Sequence, residues 1–356
     1  MSDSLVGPVR VVGAGLLGTS VGLACRRAGL EVQLSDISHQ HLRTATGLGA
    51  GRAAVDGDTA QLIVVAVPPD HLGETLISEL ATSDAVVTDV GSVKSEPLRE
   101  VLAASRQHAH RYVGSHPMAG SERSGPLAAT ASLFDGRPWA VTPHPDAAEE
   151  ATALVVELAR TCGAVPVVLP PDEHDRAVAR TSHLPQLLSA LVAARLADAP
   201  PEHLVLSGQG VRDVTRIAGS EPGMWLQIIG ANAPAVLDVL AEVRAELDAM
   251  MSAVATGERT ELERLLDLGV AGTRAIPGKH GAPASPTASV FVAVPDHPGE
   301  LARLFADAGD SGVNIEDIHI DHDPGRAMGL VEVVVEDARA EQLLKSLESR
   351  GWETHR

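Results

Sequence analysis

Residues Val9-Arg-Val-Val12-Gly13-Ala-Gly15-Leu-Leu-Gly18 decide the fold. An apolar run that ends in Gly-x-Gly-x-x-Gly and passes into a helical pattern is the strand, turn and first helix of a dinucleotide-binding unit. Gly13 permits the tight turn, Gly15 lets backbone amides approach a pyrophosphate, and Gly18 lets helix and strand pack closely. The helix start, at Leu16 and Leu17, meets the phosphate's negative charge. Asp36 closes the next candidate strand about 20 residues on, where an acid accepts hydrogen bonds from ribose hydroxyls and repels a 2′-phosphate. The spacing therefore points to NAD over NADP, against the plainer alternative that Asp36 caps a loop.

Short apolar strands alternate with helical patterns from about residue 8 to 170. The candidate strands are Val9–Val12, Glu31–Ser35, Leu62–Val67, Ala85–Val90, Tyr112–Ser115, Trp139–Thr142 and Val165–Leu169. The pair Pro68-Pro69 ends the third of these, because proline cannot continue a ladder. Val67 and Pro68 thus join the glycine loop as cofactor contacts at the strand ends. From about Asp172 to Leu268, runs such as Leu187–Leu196 and Ala235–Met251 place apolar residues at helical spacing. The Pro/Gly/Ala/Ser stretch Ile276–Thr287 reads as a linker. Beyond it, two helices and four strands are expected in the order βαββαβ, a ferredoxin-like arrangement. The expected architecture is α/β: a Rossmann-type doubly wound sheet (1–171), an all-helical domain (172–275), a linker (276–287) and a small βαββαβ domain (288–356).

The chain has 356 residues, enough for two or three cores. A net charge of −19 argues against nucleic acid, which requires a basic stripe. It also means that an anionic substrate must be met by locally placed arginines. Two cysteines, Cys25 and Cys162, supply neither a disulfide framework nor metal-ligand spacing. Cys25 falls in the first helix, as a small buried hydrophobe would. No apolar stretch is long enough to span a bilayer, and the N-terminus lacks the features of a signal peptide, so the expected location is cytoplasmic.

Two further motifs follow Val-rich runs: Asp89-Val-Gly-Ser92-Val-Lys94 and Gly114-Ser-His116-Pro-Met-Ala-Gly120-Ser121-Glu122. Both are expected at the carboxyl ends of parallel strands, the edge where ligands bind in open α/β sheets. His116, framed by glycines and a proline, is a candidate general base or polariser of a substrate hydroxyl, since imidazole titrates near neutral pH. Ser92 is placed either to hold that histidine or the same substrate oxygen, or simply to cap the following helix. Lys94 reads as a solvated lysine or as one that reaches cofactor or substrate. A second cluster lies in the helical region: Arg180-Thr-Ser182-His183-Leu-Pro-Gln186, then Arg212-Asp213-Val-Thr-Arg216-Ile-Ala-Gly-Ser220-Glu-Pro-Gly-Met-Trp225. Pro185 should distort its helix and free a carbonyl. Arg216 suits either a surface ion pair or a bidentate carboxylate clamp.

GAGLLG, DVGSVK, GSHPMAGSE, the pair His174-Asp175 with SHLP, and RDVTRIAGSEPGMW together resemble the TyrA family, the prephenate/arogenate dehydrogenases of tyrosine biosynthesis. The resemblance runs from about residue 8 to 275. The final segment, with VPDHPGELARLFADAGDSGVNIEDI, resembles an ACT domain, a module that often binds amino acids. The resemblance implies NAD-dependent oxidative decarboxylation of prephenate to 4-hydroxyphenylpyruvate. His116 then accepts the proton of the C4 hydroxyl and Ser92 is its partner at that oxygen. Arg216 binds a substrate carboxylate, and Ser121, Glu122, His183, Gln186, Ser220 and Trp225 line the site. A homodimer built through the helical domain is implied, as is feedback by an amino acid such as tyrosine, near Asn314 and the turn Asp296–Gly299. Neither a metal nor a membrane is implied. Where some family members carry a second histidine after SHLP, this chain has Gln186, which cannot become cationic. Arogenate is therefore the alternative substrate, and 4-amino-4-deoxyprephenate a third, which the ACT-like tail disfavours.

Two other classes fit the residues less well. β-Hydroxyacid dehydrogenases share the glycine loop but use a helical-domain lysine, and here no lysine lies between Lys94 and Lys279. A non-catalytic NAD sensor would not need His116, Ser92 and Arg216 together.

Overall fold

The computed structural model describes residues 4–120, 124–277, 286–321 and 328–356. They divide into two compact units, 1–249 and 250–356.

The first unit begins with β1 (Val9–Val12), α1 (Leu16–Arg27), β2 (Val32–Ser35), α2 (His39–Gly47), β3 (Arg52–Ala53), β4 (Leu62–Val65), α3 (Pro69–Thr82), β5 (Val86–Asp89) and α4 (Ser95–Ala104). The strands form a parallel sheet in the order β3-β2-β1-β4-β5. A sheet covered on both faces needs unbroken apolar strands rather than alternation, and Leu62-Ile-Val-Val65 is buried at all four positions. One face packs Val9, Val11, Leu62 and Val64 against Val21, Ala24 and Cys25 of α1. The other packs Ile63, Val65 and Val87 against Leu72, Leu76 and Leu80 of α3 and Val101 of α4. Each such aliphatic side chain contributes about 1.5–3 kcal/mol on burial. The strand order reverses between β1 and β4, so their carboxyl ends bound a crevice.

The chain continues through β6 (Gly114–Pro117), β7 (Pro138–Thr142), α5 (Glu149–Thr161) and β8 (Val165–Val168), which form a second sheet in the order β6-β7-β8. β6 runs antiparallel to β7, with His116 opposite Ala140. The expected setting of His116, at the end of a parallel strand, holds on one edge only: the Val87–Tyr112 bridge to the main sheet is parallel, whereas the β7 edge is antiparallel. Alternation and valine content signal a strand but not the direction of its neighbour. The main sheet also reaches this region, because the Val113 amide donates to the Val87 carbonyl at 3.0 Å. Cys25 and Cys162 are both buried.

Helices follow: α6 (Pro171–Val178), α7 (Leu184–Ala194), α8 (Pro201–Leu204), α9 (Gln209–Thr215), α10 (Pro222–Ala231), α11 (Ala233–Thr256), in which the division between units falls, and α12 (Arg259–Ala275). Between α6 and α7 the backbone forms a π-helical turn, Ala179–His183. Pro185 has no N–H for the carbonyl four residues earlier, so the preceding turn widens. That is the distortion expected from Pro185. No single helix among the described residues is long and apolar enough to cross a membrane.

In the second unit, β9 (Thr287–Pro295), α13 (Glu300–Asp310), β10 (Ile315–Asp321), β11 (Met328–Glu336), α14 (Asp337–Ser349) and β12 (Glu353–His355) follow the expected βαββαβ order. The antiparallel sheet runs β10-β11-β9-β12. Val290, Val292 and Val294 alternate inward with Val331, Val333 and Val335 against Leu304, Leu343 and Leu347, as the period of two requires.

Candidate active site

The glycine loop is assembled by close backbone approach. A Cβ on Gly13 would lie 2.4 Å from the Ala66 carbonyl oxygen, and one on Gly18 would lie 1.9 Å from that of Gly13. Gly13 also has φ +101°, which favours glycine. These approaches press the loop against the end of β4, beside Val67 and Pro68, the latter capping α3. Above Gly15 nothing lies within 4 Å of the Cβ position, and no side chain caps α1. The first amides of that helix, including those of Leu16 and Leu17, therefore lack intrahelical partners. An open cradle over free amides fits a dinucleotide pyrophosphate. Asp36 sits at its rim, accepting from the Ala14 amide at 2.6 Å and from the Ser38 amide at 2.6 Å. Its carboxylate is thus fixed against the glycine loop.

A second set of residues meets below β6. His116 Nδ1 lies 3.0 Å from His174 Nε2, and His174 Nδ1 lies 2.9 Å from Asp175 Oδ1. The Asp175 carboxylate also accepts from the Lys94 amide at 2.9 Å and the Ser95 amide at 2.8 Å, at the start of α4. Burial opposes its charge, but bonds from His174, Ser95 and Lys94 hold its carboxyl below the usual range. Burial holds His116 well below the ordinary imidazole value, and His174, Lys94 and His183 add to the effect. His183 is lowered to about 4, chiefly by burial, with Asp175 opposing. Its Nδ1 lies 3.1 Å from Asn232 Nδ2, which also donates to the Asp175 carbonyl at 2.9 Å. Trp225 meets His183 edge-on, with ring centroids 6.2 Å apart, and its buried indole N–H has no partner among the described residues.

The structure thus brings His116, His183 and Trp225 into one neighbourhood. Ser92 is not bonded to His116, whose ring is held by His174 instead. Ser92 lines a cavity of about 470 Å³ with Gly91, Leu72 and Ile228. Gln186 is buried in α7, less than a turn beyond His183. Ser220 donates to the Ile217 carbonyl at 2.7 Å, and the turn Arg216–Gly219 is tied to α7 by the Ala218 amide donating to Ser189 at 3.1 Å. Arg216 is exposed and makes no hydrogen bond or ion pair among the described residues, so the surface pair with Asp213 does not form. Ser121 and Glu122 lie outside the described residues.

Lys94 is not a surface residue. It is completely buried, pairs with Asp89 and donates to the Ser115 carbonyl at 2.7 Å. Tyr112 donates to the other Asp89 oxygen at 2.8 Å. Burial lowers the Lys94 pKa despite Asp89, and burial followed by Asp89 raises that of Tyr112. Three residues of the network carried no assigned role from sequence: His174, Asp175 and Asn232. The His-Asp pair was visible as a motif, but its contact with His116 spans 58 residues. Asn232 offered no signal at all.

A dinucleotide cradle and a desolvated histidine in the same unit fit an NAD-dependent oxidoreductase of the Rossmann class. Residues 21–168 match the family model for the nucleotide-binding domain of prephenate dehydrogenase, and residues 170–268 match that for its dimerization domain. The chain belongs to the prephenate dehydrogenase family. It is 38% identical over 354 residues to the probable prephenate dehydrogenase NovF of Streptomyces niveus, covering 96% of this chain and 98% of that one. It is 28% identical to prephenate dehydrogenase of Bacillus subtilis, covering 90% and 88%. Among solved structures, prephenate dehydrogenase from A. aeolicus, in complex with hydroxyphenyl propionate and NAD+, superposes with TM-score 0.68 at 26% identity, over 75% of this chain and 98% of that one. Synechocystis arogenate dehydrogenase superposes with TM-score 0.64 at 27% identity, over 74% and 98%.

Proposed function

We propose that this protein oxidatively decarboxylates prephenate to 4-hydroxyphenylpyruvate in tyrosine biosynthesis. The observation that carries the reading is His116: its ring is desolvated, and its Nδ1 is committed to His174, which leaves Nε2 for substrate. A neutral imidazole is the form that can accept a proton. Bound NAD supplies the acceptor for the hydride on C4. His116 takes the proton of the C4 hydroxyl as the C4–O bond gains carbonyl character. The bond from the ring to its carboxylate breaks, CO2 leaves, and His116 returns the proton to the phenolate oxygen. No net proton is released in this sequence.

Ser92 is assigned to the same hydroxyl oxygen. The free guanidinium of Arg216 suits a substrate carboxylate, since bidentate pairing fits its geometry. The unpartnered Trp225 N–H is a donor that a substrate oxygen would satisfy. Ser121, Glu122, His183, Gln186 and Ser220 complete the proposed lining. Names among the relatives support prephenate, while arogenate dehydrogenase and cyclohexadienyl dehydrogenase also occur among them.

A homodimer is supported by the dimerization-domain match and by the exposed Leu191, Leu206 and Leu226 of the helical region. For the second unit we propose an ACT-like regulatory role with tyrosine as effector. Its support is the βαββαβ order and the left-handed Gly299 that starts α13 beside Asp296 and His297. Asn314 bonds Glu316 at 2.6 Å on the approach to β10.

The deciding experiment is the initial rate of NADH or NADPH formation with prephenate and with arogenate, each with NAD and NADP. Turnover of prephenate with NAD is expected. Preference for arogenate would move the assignment to that substrate and implicate Gln186, and turnover of neither would overturn it. Saturating tyrosine is expected to lower the rate, and unchanged kinetics would remove the regulatory role.

A further inference from the structure

Both histidines of the site hang from one residue. Asp175 holds His116 through its carboxylate, by way of His174, and holds His183 through its backbone carbonyl, by way of Asn232. Each path fixes a proton. On the first, the carboxylate is acceptor-only, so His174 Nδ1 must carry hydrogen. The acceptor role proposed for His116 Nε2 places the His116 proton on Nδ1, where it is donated to the lone pair of His174 Nε2. On the second, the Asn232 amide nitrogen gives one hydrogen to the Asp175 carbonyl and the other to His183 Nδ1. That nitrogen of His183 is therefore the acceptor, and its proton sits on Nε2.

We propose that His174 and Asn232 are positioning residues that lock His116 and His183 in opposite tautomers, so that His116 offers a lone pair at Nε2 and His183 an N–H. The site then holds one proton acceptor and one hydrogen-bond donor without either histidine being charged. The arrangement suits a substrate with a hydroxyl to deprotonate and a separate oxygen to be held, and so deepens the proposed function on which it rests. It also ties the acceptor to the Ser92 loop, because the same carboxylate binds the amides of Lys94 and Ser95.

The test is long-range ¹H–¹⁵N correlation on the NAD-bound protein with ¹⁵N-labelled histidine, assigned with His116→Asn and His183→Asn variants. The expected spectrum has His116 protonated at Nδ1 and His183 at Nε2. His174→Leu should average the His116 nitrogen shifts as the two tautomers mix, and should lower kcat roughly 10–100-fold with KM changed less than about threefold. His174→Gln, whose amide oxygen can accept the same N–H, should restore the His116 tautomer and most of kcat. A wild-type His116 protonated at Nε2 would overturn the proposal, as would a His174→Leu protein that binds NAD normally and keeps the wild-type shifts. The wild-type spectrum decides the tautomers even if a variant fails to fold. It needs no substrate, so it also stands apart from any failure of the proposed reaction.

Discussion

The Asp36 carboxylate, at the end of the second strand, accepts the backbone N–H of Ala14 in the glycine loop at 2.6 Å. The two residues are 22 apart in sequence, and the bond makes one rigid rim from two strand ends. The acid is thus held by the glycine loop itself, and we propose that its remaining lone pairs accept the ribose hydroxyls of NAD.

Asp36→Ala should therefore weaken NAD binding about 10–100-fold, the scale of a lost hydrogen bond to a charged group. NADP, with its 2′-phosphate no longer repelled, should lose less. Titration calorimetry with both dinucleotides checks this, and an unchanged NAD affinity would remove Asp36 from the ribose site.

His116→Asn should lower kcat roughly 10²–10⁴-fold, the usual contribution of a positioned base. NAD affinity should stay within about twofold, because the glycine loop is built without His116. Steady-state kinetics beside NAD titration separates the two effects, and full residual turnover would end the assignment.

Lys94→Met should destabilise the first unit by about 3–5 kcal/mol, since Asp89 would be left buried and unpaired. The double variant Asp89→Asn/Lys94→Met should be more stable than Lys94→Met alone. It removes the stranded charge while keeping an acceptor for the Tyr112 hydroxyl. Urea denaturation of the three proteins measures the difference. If Lys94→Met melts like the wild type, the pair is not supporting the sheet.

Stability should fall with pH through the window set by His183. Its folded pKa is about 4, against about 6.5 unfolded. Between those values the unfolded chain binds a proton that the native one refuses, so stability declines as pH drops from about 6.5 and levels off below about 4. The full effect is on the order of 3 kcal/mol, and His116, shifted the same way, adds to it. Denaturation midpoints measured from pH 7 to 4 should show a shallower slope for His183→Asn than for wild type, and equal slopes would contradict the buried neutral imidazole.

Much of the molecule was legible because it rests on local rules. The apolar runs at Val9 and Leu62 mark strands covered on both faces, and the Gly13 loop marks a tight turn into an uncapped helix start. Pro185 marked a distorted helix, which the fold realises as the widened turn before α7. His116 was legible as chemistry but not as geometry: nothing in Gly114–Pro117 says that its partner strand runs antiparallel. Lys94 misled for a related reason, because its burial depends on an acid in the preceding strand and a carbonyl in the following one, Ser115.

Sequence by itself determined what depends on neighbours along the chain: the order of strands and helices, the phosphate loop, the acid at the second strand end and the βαββαβ order of the last unit. Tertiary structure alone decided which groups share a proton. His116 with His174, Asp175 with the start of α4, and Asn232 with His183 are contacts between residues 49 to 81 positions apart. Hydrogen bonds of that kind have no period and no spacing rule. They exist because the packed elements exclude water, and each buried polar group must then find its partner wherever the fold has placed it.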